Sequence, residues 1–168
     1  MSIFPADLLE QTAAVLELCR ARALTLTTAE SCTGGLIAAC FTEVAGASDV
    51  FERGYVTYSN SAKEELLSVG RETLAHFGAV SAETALEMAI GAREKAKSDI
   101  AIAVTGIAGP DGGTEAKPVG LVHIAVAYSP LAPLHQENRF GGIGRSEIRM
   151  LSLRQALRLT QQVLRQSA

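Results

Sequence analysis

Apolar positions along this 168-residue chain change period several times, and each change marks a new element. Leu8, Leu9, Thr12, Val15, Leu16 and Cys19 recur at helical spacing behind Pro5, which suits a first helical turn. They predict an amphipathic helix to about Arg22, followed by a strand over roughly residues 23 to 29. Leu36, Ile37, Ala38, Ala39, Cys40 and Phe41 predict a second helix from near Gly34, with small residues suited to close packing on a sheet. Gly46-Ala-Ser48 ends it. Phe51 to Tyr58 predicts a strand, with Tyr55 and Thr57 on one face and Val56 and Tyr58 on the other. Ser61-x-x-Glu64 has the form of a capping box and predicts a helix from there to Gly70. A short helical turn leads to Gly78, and Ser81 caps a longer helix to about Lys97.

Asp99 to Thr105 then reads as a buried strand, and Gly106 to Pro118 as a glycine- and proline-rich loop. Val119 to Tyr128 and Leu134 to Phe140 predict two more strands. Gly141-Gly-Ile-Gly144 opens a C-terminal helix carrying Ile148, Leu151, Leu153, Leu157, Leu159 and Leu164. The early alternation of helix and strand implies right-handed parallel crossovers. The later consecutive strands need antiparallel connections. The expected fold is α/β: a three-layer α/β/α sandwich on a mixed, mostly parallel sheet. Ser31, Tyr58 and Thr105 each fall where a strand gives way to a loop. Open α/β sheets bind ligands at those carboxyl ends, so three separate segments are expected around one crevice.

Length and a 48% hydrophobic composition fit one domain, residues 1–168, with a sizeable core. A net charge of −3 without a long basic run disfavours nucleic acid as a partner. No apolar run is long enough to cross a bilayer, and the N-terminus lacks the charged and apolar regions of a signal peptide. Cys19, Cys32 and Cys40, odd in number and irregular in spacing, suggest a reduced, cytoplasmic protein. His76, His123 and His135 show no metal-ligand spacing, so no metal is expected. His123, alternating within a strand, reads as a packed or edge histidine rather than a base. The sequence is compatible with a homo-oligomer but does not specify one.

Candidate chemistry concentrates in four stretches. Thr28-Ala-Glu-Ser-Cys-Thr-Gly-Gly35 breaks an apolar strand into a serine, a cysteine and two glycines before a helix. It is neither a P-loop nor a dinucleotide fingerprint. The strand would hold a nucleophile still, and the first helical turn would offer N–H groups to an anion. Ser31 is the preferred nucleophile and Cys32 the alternative, since a thiol at a helix N-terminus can be activated but a buried one is usually inert. Lys63 falls in the first turn of its helix, where the macrodipole disfavours a cation. The helix terminus and partial burial would lower its pKa and suit it as a neutral base; Tyr58 could relay the proton or bind substrate. Thr105 to Gly120 has enough glycines to wrap a phosphate or sugar with its backbone, including Thr105, Gly106, Gly112, Gly113 and Thr114. Arg145 could clamp a phosphate; Arg149, one turn on, reads first as a surface arginine.

Together these stretches resemble the CinA C-terminal domain family, whose stand-alone bacterial members are nicotinamide-nucleotide amidases. The resemblance spans nearly the whole chain. It rests on Thr28 to Gly35, on Gly54-Tyr-Val-Thr-Tyr-Ser-Asn60 with Lys63, and on Ala79-Val-Ser81. It rests also on Val104-Thr-Gly-Ile-Ala-Gly-Pro110, Gly112-Gly-Thr114, Lys117-Pro-Val-Gly120 and Phe140-x-Gly142-x-x-Arg145. It implies hydrolysis of nicotinamide mononucleotide to nicotinate mononucleotide and ammonia, without a cofactor, in the salvage of pyridine nucleotides. The family's serine would map to Ser31 and its lysine to Lys63. Tyr58, Thr105 and Arg145 lie at motif positions suited to substrate contact, as do Cys32, Thr33, Gly34 and Gly35, with the amides of residues 32 to 34 as expected oxyanion donors. The rival readings are an amidase on another amide-bearing nucleotide and a catalytically silent nucleotide-binding module.

Overall fold

The computed structural model describes residues 2–166. Helix α1 (Ala6–Arg20) is followed by strand β1 (Leu26–Glu30) and helix α2 (Leu36–Glu43). Strand β2 (Phe51–Val56), helices α3 (Asn60–Leu67), α4 (Arg71–Phe77) and α5 (Ala82–Ala96) come next. Strands β3 (Ile100–Gly106), β4 (Leu121–Tyr128) and β5 (Leu134–Arg139) precede helix α6 (Arg145–Gln166). The five strands form one sheet in the order β2-β1-β3-β4-β5. β1 pairs in parallel with β2 and β3, while β4 is antiparallel to both its neighbours. Only β4 therefore opposes the common strand direction, which is the mixed, mostly parallel sheet the sequence predicts.

The two faces of the sheet differ in side-chain size. Ile100, Ile102 and Val104 of β3, with Val122, Ile124 and Val126 of β4, turn one way and pack with α1, α2 and α6. Ala101, Ala103, Ala125 and Ala127 turn the other way, onto Ala85, Met88, Ala89 and Ala92 of α5. This period-two alternation of large and small residues lets α5 lie close against the sheet. α3 and α4 pack outside α5. Gly91 is needed where α5 meets α3, because a Cβ there would stand 1.8 Å from the Leu67 carbonyl oxygen.

Two boundaries differ from expectation. Ser59, not Ser61, caps α3: its Oγ accepts from the Ala62 amide at 3.1 Å, and Glu64 pairs with Arg71 instead of closing a capping box. β2 ends at Val56, so Tyr58 stands in the loop beyond it. Among the described residues no helix is long and apolar enough to cross a membrane. Cys19, Cys32 and Cys40 are free and buried. His123 is packed against His135, with Nδ1 and Nε2 2.9 Å apart, and burial lowers the pKa of both.

Candidate active site

Ser31 directly follows β1, and its amide donates to the Val104 carbonyl of β3 at 2.9 Å. That bond fixes the residue at the carboxyl end of the central strands. The chain then turns sharply, with the Gly34 amide donating back to the Ser31 carbonyl at 3.1 Å. Gly34 and Gly35 take φ values of +59° and +95°, a region that favours glycine.

The N-terminus of α2 is already filled. The Glu30 carboxylate, 1% exposed, accepts from the amides of Gly35 (3.0 Å), Ile37 (3.0 Å) and Ala38 (2.8 Å). A buried carboxylate needs such charge-assisted partners, and the positive end of the helix supplies them. The anion expected at this helix end is thus the chain's own, and the Gly34 and Gly35 amides are committed. Among the described residues, no other residue accepts from the amides of Cys32 and Thr33.

Lys63 reaches the site from α3 and is 1% exposed. Its Nζ lies 3.0 Å from Ser31 Oγ, 2.8 Å from the Thr57 carbonyl and 3.3 Å from the Tyr58 carbonyl. No carboxylate is among these partners. Burial therefore pulls the Lys63 pKa down from 10.5 to about 8. The amine reaches back past the start of α3 to the Thr57 and Tyr58 carbonyls, and desolvation is the largest cause of the shift. A neutral amine has two N–H donors and one lone pair. With the two carbonyls accepting both N–H groups, the lone pair is left for the Ser31 hydroxyl.

The same burial acts on Cys32 in the opposite sense. Its thiol is pushed up to about 12, which keeps it protonated at neutral pH.

Ser31 and Lys63 sit at the base of a cavity of about 270 Å³. Thr105 is buried beside them and donates its hydroxyl to the Ala79 carbonyl at 2.7 Å, tying β3 to the approach of α5. At the mouth, Arg145 donates through Nη1 to the Gly109 carbonyl (2.8 Å) and through Nη2 to the Tyr58 hydroxyl (3.0 Å). Tyr58 is 61% exposed; its phenol meets Arg145, and only its backbone carbonyl meets Lys63. Cys32, Gly106 and Gly112 also line the cavity.

Thr33, Gly34, Gly35, Gly113 and Thr114 lie outside this lining. The Thr33 carbonyl takes a hydrogen bond from Arg149. Gly113 backs onto Val119, where a Cβ would come within 2.8 Å of the amide nitrogen. Thr114 Oγ1 caps a turn by accepting from the Lys117 amide at 3.0 Å. A larger depression of about 440 Å³ on α6, at Arg158, Gln161 and Arg165, brings no strand end and no nucleophile together.

From sequence, Glu30 has no assigned role, Arg149 reads first as a surface arginine and Ala79-Val80 enters only within a motif, whereas Glu30 fills the helix end, Arg149 holds the Thr33 carbonyl and Ala79 and Val80 wall the cavity. An acid closing an apolar strand just before a helix was the available signal for Glu30.

The profile of the family described as "CinA C-terminal domain" matches residues 9–164. A nicotinamide-nucleotide amidohydrolase PncC from Escherichia coli is 48% identical over 137 residues, covering 82% of this chain and 83% of that protein. A "putative competence-damage inducible protein" from Acetivibrio thermocellus is 58% identical over 130 residues; the match covers 77% of this chain but only 31% of that longer protein. In three dimensions the chain is similar to the competence/damage inducible protein CihA from Agrobacterium tumefaciens. The TM-score is 0.95 at 51% identity, with 98% of this chain and 99% of that one covered.

Proposed function

Because the chain belongs to the CinA C-terminal domain family, we propose that it is a cytoplasmic enzyme hydrolysing the carboxamide of nicotinamide mononucleotide. The products are nicotinate mononucleotide and ammonia, and the described residues act as a single amidohydrolase unit. The observation that carries this reading is the buried contact between Lys63 Nζ and Ser31 Oγ at 3.0 Å, on a lysine whose pKa lies near 8. The name of the E. coli relative supports the choice of substrate.

Neutral Lys63 takes the Ser31 proton as Oγ attacks the carboxamide carbon. The tetrahedral oxyanion forms beside the Cys32 amide, at the cavity wall. The protonated amine is held by the Thr57 and Tyr58 carbonyls. It then gives its proton to the leaving nitrogen, and ammonia departs. Water enters, Lys63 removes its proton, and attack on the acyl-serine ester releases the carboxylate and restores Ser31. Arg145 at the mouth supplies a guanidinium for the 5′-phosphate, with the glycine-rich backbone of residues 106 to 112 beside it. The scheme uses neither metal nor redox cofactor.

The test is purified protein with nicotinamide mononucleotide, following ammonia and nicotinate mononucleotide together. Both should form in equal amounts, and Ser31→Ala should lower turnover by about 10³-fold or more. Cys32→Ala should keep most of it, since the thiol stays protonated. An active Ser31→Ala, or a dead but folded Cys32→Ala, would make the thiol the nucleophile. Binding without products from the wild-type chain would mark a silent nucleotide-binding module.

A further inference from the structure

Arg149 is unexplained by the scheme above. It is partly buried on α6, its Nε is buried without a hydrogen-bond partner, and no carboxylate pairs with it among the described residues. Burying an unpaired cation is unfavourable, so stability alone does not account for it. Among the described residues its guanidinium makes one hydrogen bond, from Nη2 to the Thr33 carbonyl at 2.9 Å, across 116 residues of sequence.

That bond falls on a particular peptide unit. The Thr33 carbonyl and the Gly34 amide belong to the same rigid plane. Arg149 holds its oxygen and the Ser31 carbonyl holds its N–H. The next N–H, that of Gly35, is held by Glu30. Two successive peptide planes are thus fixed from outside the turn. The two planes before them carry the N–H groups of Cys32, at the cavity wall, and of Thr33; no other described residue accepts from either. Fixing the later planes limits how far the earlier ones can rotate. The guanidinium is also close enough to favour negative charge at Cys32.

We propose that Arg149 is a positioning residue that aims the Cys32 amide at the developing oxyanion by holding the Thr33–Gly34 peptide plane. It does not touch the substrate. This rests on the amidase reading, and its effect is confined to the transition state: the amide is worth most when the carbonyl oxygen carries charge.

The experiment compares kcat and KM for nicotinamide mononucleotide in wild-type protein, Arg149→Met, Arg149→Gln and Arg149→Lys, each corrected for its folded fraction. Misplaced donors cost about 10- to 100-fold in rate. Arg149→Met and Arg149→Gln should lose that much in kcat, with KM within about threefold of wild type for a transition-state effect. Arg149→Lys, able to reach the carbonyl with one donor, should fall between. If Arg149→Met does not fold, Arg149→Gln is judged by the same criterion. A folded variant with kcat within twofold of wild type, or a loss carried by KM alone, would overturn the proposal while leaving the amidase reading intact. An inactive wild-type protein would overturn both.

Discussion

Residues 31–35 and residues 106–118 are both glycine-rich and both reach the cavity, but a buried charge grips the first while the second is open to solvent. In the first, Glu30 and Arg149 hold successive peptide groups from two sides. In the second, residues 110–116 are exposed, and Gly106, Gly109 and Gly112 face the cavity with bare backbone. A nucleophile needs fixed geometry, which buried hydrogen bonds provide. A ligand needs a wall it can approach and that can adjust to it, which an exposed loop provides. Glycine marks close approach in both places; in one the approaching group is the chain itself.

Removing the grip should have the largest effect on stability. Glu30→Ala strips three helix amides of their acceptor, and should cost about 3 kcal/mol or more. Asp111→Ala, on the exposed loop, should change stability by less than about 0.5 kcal/mol. Denaturant unfolding of the two variants checks the pair, and equal costs would dissolve the distinction between the loops.

A smaller effect sharpens it. Gly35 and Gly112 have similar φ values, +95° and +88°, so alanine at either should cost about 1–2 kcal/mol of backbone strain. Their kinetic effects should differ. Gly112 lines the cavity and Gly35 does not, so only Gly112→Ala should raise KM. Steady-state kinetics on both variants decides this, and a KM change confined to Gly35→Ala would contradict it.

Much of this arrangement was legible in the chain. The switch from a short apolar strand to glycines to a helix placed Ser31 at a strand end, and the order of elements predicted a mixed three-layer sheet. Lys63 stood out because a cation there breaks a local rule, though its low pKa comes from burial that only tertiary packing creates. Ser59 and Ser61 are both residue types that suit a cap; local sequence does not choose between them, and the structure puts Ser59 just ahead of α3 and Ser61 in its first turn. Arg149 was illegible because its partner is 116 residues away. Small and hydroxyl residues serve tight turns and ligand cradles equally well, so the sequence does not separate Gly112, which lines the cavity, from Gly113 and Thr114, which do not.

The central claim is that Lys63 acts as a neutral base on Ser31. The most direct test is the pH dependence of kcat/KM for nicotinamide mononucleotide between pH 6 and pH 10. A base must lose its proton to act, so activity should rise about tenfold per pH unit below the Lys63 pKa and level off above about 8. A profile flat across pH 8 in an active enzyme, or the same rise persisting in Lys63→Met, would contradict the account.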